Sequence, residues 1–217
     1  MHHFLHNHGH GHGEKGCRFH ADNCGGQNKN KTVIAYLAWR VMCGYHEQIT
    51  LSFMVAGHTR CLVDGCFNLL KQMYRRSDCF MMEQLVDVVN SSATCNVAET
   101  VPDIGLVWRQ RNTFLLEHFK PVVGIRKMHH FRFDSTEPGG IFVKETCSSA
   151  ERKIKILKTS KEAVATAGLP PLLPPGGLSP LRRAYLHKHI RPFVAPAYQD
   201  KLCLAPPDQD VSSDDDM

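Results

Sequence analysis

The sequence lacks several patterns that would define its class at once. Its 217 residues contain no stretch of 18 or more apolar residues, so no membrane-spanning helix and no membrane partner are expected. No charged segment followed by an apolar one opens the chain, so the pattern of a secretory signal is missing. The nine cysteines form no C-x-x-C pair. We therefore expect reduced thiols and a nuclear or cytoplasmic location.

The composition is that of an ordinary globular protein, with 42% apolar and 22% charged residues. The net charge is +5, although five aspartates lie in the last ten residues. Removing those five negative charges leaves +10 on the rest of the chain. Such a basic body would attract polyanions such as DNA, but the same charge also serves solubility alone.

Histidine and glycine dominate residues 1–16. Alternating histidines can bind Zn²⁺ or Ni²⁺ loosely, yet the glycines favour a flexible leader over a preformed metal site. A structural zinc site built from the scattered cysteines and histidines is a second possibility, although their spacing is not that of a zinc knuckle.

Hydrophobic periodicity predicts a βαβα arrangement in the first half of the chain. Residues 17–22 read as a strand, and 31–43 as an amphipathic helix that Asn28 or Asn30 can cap. Residues 49–55 alternate like a strand, and a second helix is predicted from Asp64 to about Arg76. A further helix is predicted over 82–90. The two strands should be parallel, with a helical crossover between them.

The second half gives weaker patterns. Two strands, 129–133 and 140–144, are predicted on either side of a Glu-Pro-Gly turn, followed by a basic stretch and a proline-rich linker. Ser179 and Pro180 open a short helix. The predicted division of the chain is a leader at 1–16, a folded domain at 17–145, a basic segment with linker at 146–177, a helical segment at 178–205 and a disordered acidic tail at 206–217.

Two acids stand where an α/β protein places its ligands. Asp22 follows the first strand, Asp64 opens the helix after the second strand, and His58 lies between them. Such carboxylates can hold a divalent metal for phosphoryl transfer. Each also has a plain structural explanation, since Asp22 suits a polar turn and Asp64 suits the positive end of a helix dipole. His58 could likewise bond to a main-chain carbonyl.

Several polar and basic residues are candidates for contacts with nucleic acid. Gln27, Asn28 and Lys29 could meet phosphates, but the surrounding glycines do not complete a G-x-x-x-x-G-K-[ST] loop. Further along the chain, Lys71, Arg75 and Arg76 could contact a phosphate backbone, or could simply lie on a solvated helix face.

The segment Asp-Asn-Cys-Gly-Gly-Gln-Asn-Lys-Asn at 22–30 resembles the signature of an uncharacterised transposon-derived domain family. The similarity continues through 36–41, 52–59 and 64–71, and more loosely through 129–133. That family is similar to DDE-type transposases with a ribonuclease-H-like core. The resemblance implies a mixed sheet with helices on both faces and two Mg²⁺ ions held by three acids.

By this resemblance Asp22 is the second acid of the site, Asp64 is the candidate third, and His58 is an auxiliary polar group. Glu99 and Asp103 are further acids that could complete the cluster. The first acid would stand on a strand before residue 17, where the leader leaves no room for it. The strand at 17–22 would then lie at an open edge that a second copy or another chain could pair with.

The sequence therefore predicts an α/β fold with a truncated ribonuclease-H-like core, a C-terminal hairpin, a linker and a short helix. Its expected function is that of a transposase-like fragment without autonomous catalysis, and Mg²⁺ would bind weakly if at all. Two alternatives remain open. One is a nuclease or transposase completed by another chain, and the other is a non-enzymatic module that binds nucleic acid or protein.

Overall fold

The computed structural model describes residues 5, 14–55, 62–98, 100, 108–173 and 176–206, and these fall into two compact units. The first unit combines residues 1–59 and 109–173, and the second combines 60–108 and 174–217. Each unit thus joins two separated stretches of chain, whereas the sequence analysis divided the chain into consecutive segments.

A five-stranded mixed sheet forms the first unit, in the order β1-β2-β4-β5-β6. Strands β1 (Gly16–Ala21) and β2 (Gln48–Phe53) are parallel and are joined through helix α1 (Lys31–Met42). The remaining pairs are antiparallel, formed by β4 (His130–Asp134), β5 (Gly140–Lys144) and β6 (Arg152–Lys155). Within the described residues β1 is an edge strand, paired on one side alone.

Alternation along the central strands divides the sheet into an apolar and a polar face. On β2, Ile49, Leu51 and Phe53 are buried, while Thr50 and Ser52 are half-buried on the other face. The same period on β4 buries Phe131 and Phe133 and turns the polar residues away. Since side chains alternate across a strand, the polar residues of neighbouring strands come together on one face.

Helix α1 covers the apolar face. The Asn30 side chain caps it, accepting hydrogen bonds from the amides of Thr32 and Val33 at 3.0 Å. Every residue from Ile34 to Met42 is buried, as expected for a helix enclosed on all sides. It packs with α4 (Arg111–His118) and α5 (Lys161–Thr166). Two short strands, β3 (Trp108–Arg109) and β7 (Leu172–Leu173), form a separate ladder.

A buried histidine makes the first unit sensitive to pH. His46 receives a hydrogen bond at Nδ1 from Arg40 Nε at 3.4 Å, and both side chains are buried. Burial lowers the pKa of His46 from its usual 6.5, and the Arg40 charge lowers it further, against an opposing effect of Glu14. Below pH 6.5 the unfolded chain therefore binds the proton more readily than the folded one.

We expect the free energy of unfolding to fall as the pH drops below 6.5 and to gain nothing from His46 above it. Urea denaturation at several pH values measures this dependence. The His46→Gln variant keeps an acceptor for Arg40 and does not titrate, so its pH dependence should be shallower. Equal slopes for the two proteins would contradict the role assigned to His46.

The second unit is helical. It contains α2 (Leu62–Tyr74), α3 (Met82–Ser92), α6 (Pro180–Tyr185) and α7 (Pro196–Leu202). The chain after α6 continues through a π-helical turn, Leu186–Ile190, and a 3₁₀ turn, Arg191–Phe193. The ring of Tyr198 stacks on Phe80, and its hydroxyl accepts a hydrogen bond from Gln84 at 3.1 Å. No helix among the described residues combines the length and apolar character needed to cross a membrane.

The mixed α/β class and the βαβα elements of the first half are confirmed, including the parallel pairing of β1 with β2. Two details differ. The hairpin of β4 and β5 extends the main sheet beside β2, and part of the basic stretch after it forms β6. The described residues contain seven α-helices. The ribonuclease-H-like assignment itself stays a prediction.

Candidate functional site

Asp22, one of the two predicted acids, directly follows β1 at the carboxyl end of the parallel pair. Its Oδ1 accepts a 2.5 Å hydrogen bond from Asn28 Nδ2 and a longer one, 3.4 Å, from the Cys24 amide. The carbonyl of Cys24 accepts from the amides of residues 27, 28 and 29, which closes the turn. The side chain of Asp22 is exposed, so its second oxygen can reach a ligand. The Asp22 turn is therefore a compact polar loop at the position expected of a ligand site.

Lys29 anchors this turn to the sheet. Its ammonium donates to the carbonyl of Arg126 at 2.8 Å and lies 5.3 Å from the ring centroid of Phe53. The residue is buried, and desolvation lowers the pKa of the Lys29 ammonium. The Lys29 ammonium could contact a phosphate only after breaking its bond to the Arg126 carbonyl. Of the two other predicted phosphate contacts, Gln27 is exposed, and Asn28 is hydrogen-bonded to Asp22.

A groove opens beside the Asp22 turn and has a volume of about 950 Å³. We call it the histidine groove, and it is lined by strand ends and by the loop after β5, chiefly His20, Ser52, Phe53, His129, His130 and Cys147. His129 joins it to the turn, because its Nε2 lies 3.4 Å from Asn23 Nδ2 while its Nδ1 lies 2.9 Å from the Glu145 carbonyl oxygen.

The histidine groove itself carries one carboxylate, Glu145, and its cations lie in an extension of the groove. Arg18 and Lys144 line its extension over the polar face of the sheet, together with Arg132, which is paired with Asp134 and Glu151. Burial lowers the pKa of His130, and electrostatic interactions with His129, Lys144 and His20 lower it further. His130 therefore favours its neutral form, in which one ring nitrogen accepts a hydrogen bond.

The other predicted site residues lie in the second unit. Asp64 is exposed in the first turn of α2, as its dipole preference predicts, and Lys71 lies in the last turn. Arg75 and Arg76 follow the end of that helix and are exposed. The predicted pair of Asp22 and Asp64 is thus divided between two units.

His58, Glu99 and Asp103 lie outside the described residues. In the ranges that the structure does describe, no three His, Cys, Asp or Glu side chains are arranged to hold a metal ion. Asp22 supplies one carboxylate, and Mg²⁺ chemistry of the predicted kind requires several oxygen ligands. The described residues therefore do not fit a two-metal centre.

The histidine groove was not among the sites predicted from the sequence. Its signal was the His129-His130 pair at the start of a predicted strand, together with the outward positions of His20 and Ser52 on two parallel strands. These residues meet because β4 lies beside β2, and that long-range pairing is not visible in local periodicity.

The sequence profile of a domain of unknown function, DUF7869, matches residues 14–149, which is more than half of the chain. The matched range includes the whole of the Asp22 turn and all residues that line the histidine groove. No curated protein and no solved structure matches the chain significantly.

Proposed function

This chain belongs to the DUF7869 family, and we propose that it is a transposase-like, DNA-binding domain that does not catalyse phosphoryl transfer by itself. One observation carries the proposal. An acid-bearing turn and a histidine-rich groove, whose extension carries Arg18, Arg132 and Lys144, lie together at the carboxyl end of two parallel strands, joined by the contact between Asn23 and His129. Open α/β sheets bind their ligands at this end.

The chemistry of the groove suits a phosphate backbone. Lysine, arginine and histidine supply the donors that contact phosphate oxygens, and Arg18, His20, Lys144 and His129 place such donors along one side of the sheet. The charge of +10 outside the C-terminal tail adds a long-range attraction for polyanions. A DNA ligand also agrees with the nuclear or cytoplasmic location expected from the sequence.

The acids found among the described residues of the site support a lack of autonomous catalysis. Phosphoryl transfer by two metal ions needs carboxylates that hold both ions within about 4 Å of each other. Asp22 is the one carboxylate of the Asp22 turn, and it is engaged by Asn28. A transposase-like domain with this arrangement would bind DNA and leave cleavage to another component.

A labelled DNA duplex titrated with the protein tests binding through fluorescence anisotropy. For three phosphate contacts, raising the salt about fourfold should weaken binding roughly 40-fold, because counterion release sets the slope. The double variant Arg18→Gln and Lys144→Gln should reduce that slope by about two. The control Lys161→Gln removes one positive charge from an exposed position outside the groove lining and should change the slope little. Undetectable binding, or equal losses in the groove and control variants, would overturn the DNA-binding role.

Incubation of supercoiled plasmid with Mg²⁺ tests the second half of the proposal, and we expect no nicking. Nicking that disappears in Asp22→Asn would show a working nuclease instead. If such nicking appeared only at protein concentrations at which the protein self-associates, it would favour a nuclease completed by another chain. The unpaired side of β1 among the described residues makes that second candidate structurally reasonable.

A further inference from the structure

A cysteine, a histidine and a serine form a chain of contacts within the histidine groove. The Sγ of Cys147 lies 3.2 Å from Nε2 of His130, and Nδ1 of the same ring lies 3.0 Å from Oγ of Ser52. Three different parts of the sheet supply these groups, namely the loop after β5, the start of β4 and β2. Cys147 is exposed, so a molecule in the groove can reach its sulfur.

The contact with Ser52 is compatible with a tautomer in which His130 acts as a base toward Cys147. When Nδ1 carries the proton and donates it to the serine oxygen, Nε2 has a free lone pair directed at the thiol. The pKa of His130 is lowered by burial, which favours this neutral, proton-accepting form. A neutral imidazole beside a thiol can remove its proton and leave a reactive thiolate.

A cation holds the loop that carries Cys147. The ammonium of Lys144 donates to the main-chain oxygen of Cys147 at 2.5 Å, which ties the loop to β5. Other titratable and charged groups line the groove and its extension, and these are Arg18, His20, His129, Arg132, Glu145 and Glu151. Counted with Lys144, the fixed charges are three cations against two carboxylates, and this excess of one positive charge favours an anionic reactant.

The other described cysteines lack such a base. Burial raises the pKa of the Cys17 and Cys43 thiols, and the contact with Cys95 raises that of Cys66. Cys203 is buried, whereas Cys24 is exposed like Cys147. Cys24 lies in the same unit and has no described contact with a histidine, so it serves as the matched control.

We propose that Cys147 is a nucleophilic thiol activated by His130, and that the histidine groove is a site for thiol–disulfide exchange with small anionic disulfides. The proposal is independent of DNA binding. In the exchange His130 takes the thiol proton, and the Cys147 sulfur attacks one sulfur of the incoming disulfide. A new S–S bond joins Cys147 to one half of the reagent while the old S–S bond breaks. The released thiolate takes the proton from His130, so no further oxidant is needed.

The test follows the reaction of the full chain with dithiobis-nitrobenzoate, a dianionic aryl disulfide whose released thiolate is coloured. We expect one fast equivalent of thiol, retained in Cys24→Ser and lost in Cys147→Ser. The His130→Gln variant should react at least about tenfold more slowly at that site. Mass spectrometry after reaction with glutathione disulfide should place the adduct on Cys147.

The pH profile separates activation from simple exposure. An ordinary thiol loses about tenfold in rate for each pH unit below its pKa, and His130→Gln should follow that slope at Cys147. The unaltered protein should lose less between pH 7.5 and 6.5, since His130 supplies the base. Urea denaturation of His130→Gln checks that the fold is retained, and Ser52→Ala gives a second variant that disturbs the ring orientation alone.

Three results would overturn the proposal. The first is a fast phase that survives in Cys147→Ser. The second is an unchanged rate and pH slope when a folded His130→Gln or Ser52→Ala variant is used. The third concerns an uncharged disulfide, such as the bis-hydroxyethyl compound. For each reagent, the rate at Cys147 is divided by its rate with a free thiol. Equal ratios for the uncharged and the anionic reagents would remove the preference for anions.

Discussion

Replacing Gly139 with alanine is expected to lower the free energy of unfolding by about 3 kcal/mol. Gly139 ends the turn between β4 and β5 with a φ of +75°, where a side chain is strained. An added Cβ would lie 2.8 Å from Cδ2 of Leu157 and closer still to its Cβ. The carbonyl of Gly139 also accepts hydrogen bonds from the amides of Ile156 and Leu157, so the backbone cannot move away cheaply.

Gly124→Ala is the matched control for this variant. Gly124 has a similar φ of +71°, but no atom lies within 4 Å of the position that a Cβ would occupy. We expect a loss of about 1 kcal/mol there from backbone strain alone. Urea denaturation followed by circular dichroism compares the two variants. Equal losses would mean that the close contact with Leu157 contributes nothing.

Phe131→Ala is expected to cost about 4 kcal/mol, the range usual for removing a buried phenylalanine. Phe131 lies in the middle of β4, is 2% exposed, and packs edge-to-face against Phe53 with ring centroids 5.8 Å apart. The substitution leaves a cavity next to both β2 and β5, because β4 pairs with each of them.

The same urea measurement checks the effect, with Val123→Ala as the control. Val123 belongs to the same unit and is 90% exposed, so its truncation should change stability by less than about 0.5 kcal/mol. A loss below about 1 kcal/mol for Phe131→Ala would contradict the position of this ring in the core of the sheet.

Local patterns were sufficient to predict the elements of the first half of the chain. Apolar and polar residues alternate along 49–55 because one face of the strand is buried, and in β2 that face consists of Ile49, Leu51 and Phe53. The capping role of Asn30 also depends on residues two and three positions away, so it is readable from sequence. These features depend on residues close together in the sequence, and sequence periodicity is informative over that range.

Other features depend on partners far away in the chain. Strand β6 has the sequence Arg-Lys-Ile-Lys, which resembles a solvated segment because its single apolar residue, Ile154, is only half-buried. Lys29 looked like a surface cation, yet its carbonyl acceptor on Arg126 lies 97 positions away. Its aliphatic stem can be buried while one hydrogen bond satisfies the ammonium, a pairing that composition does not reveal.

The candidate site likewise has one part that depends on local contacts and one part that depends on long-range contacts. The Asp22 turn was predicted as polar turn chemistry, and its bond to Asn28 spans six positions. The histidine groove needs β4 beside β2, and β5 beside β4, before His130, Ser52 and Cys147 can meet. The role predicted for Asp22 with Asp64 stays a prediction, since the two acids belong to different units.

The antiparallel hairpin beside β2 determines how much of the chain the groove requires. The groove takes its walls from His20 near one limit of the matched family range and from Cys147 near the other. The smallest continuous piece that holds both walls therefore runs from residue 20 to residue 147, which is most of the matched range. Any piece that omits either end loses one wall of the groove, so the groove depends on both ends of the range being present in one chain.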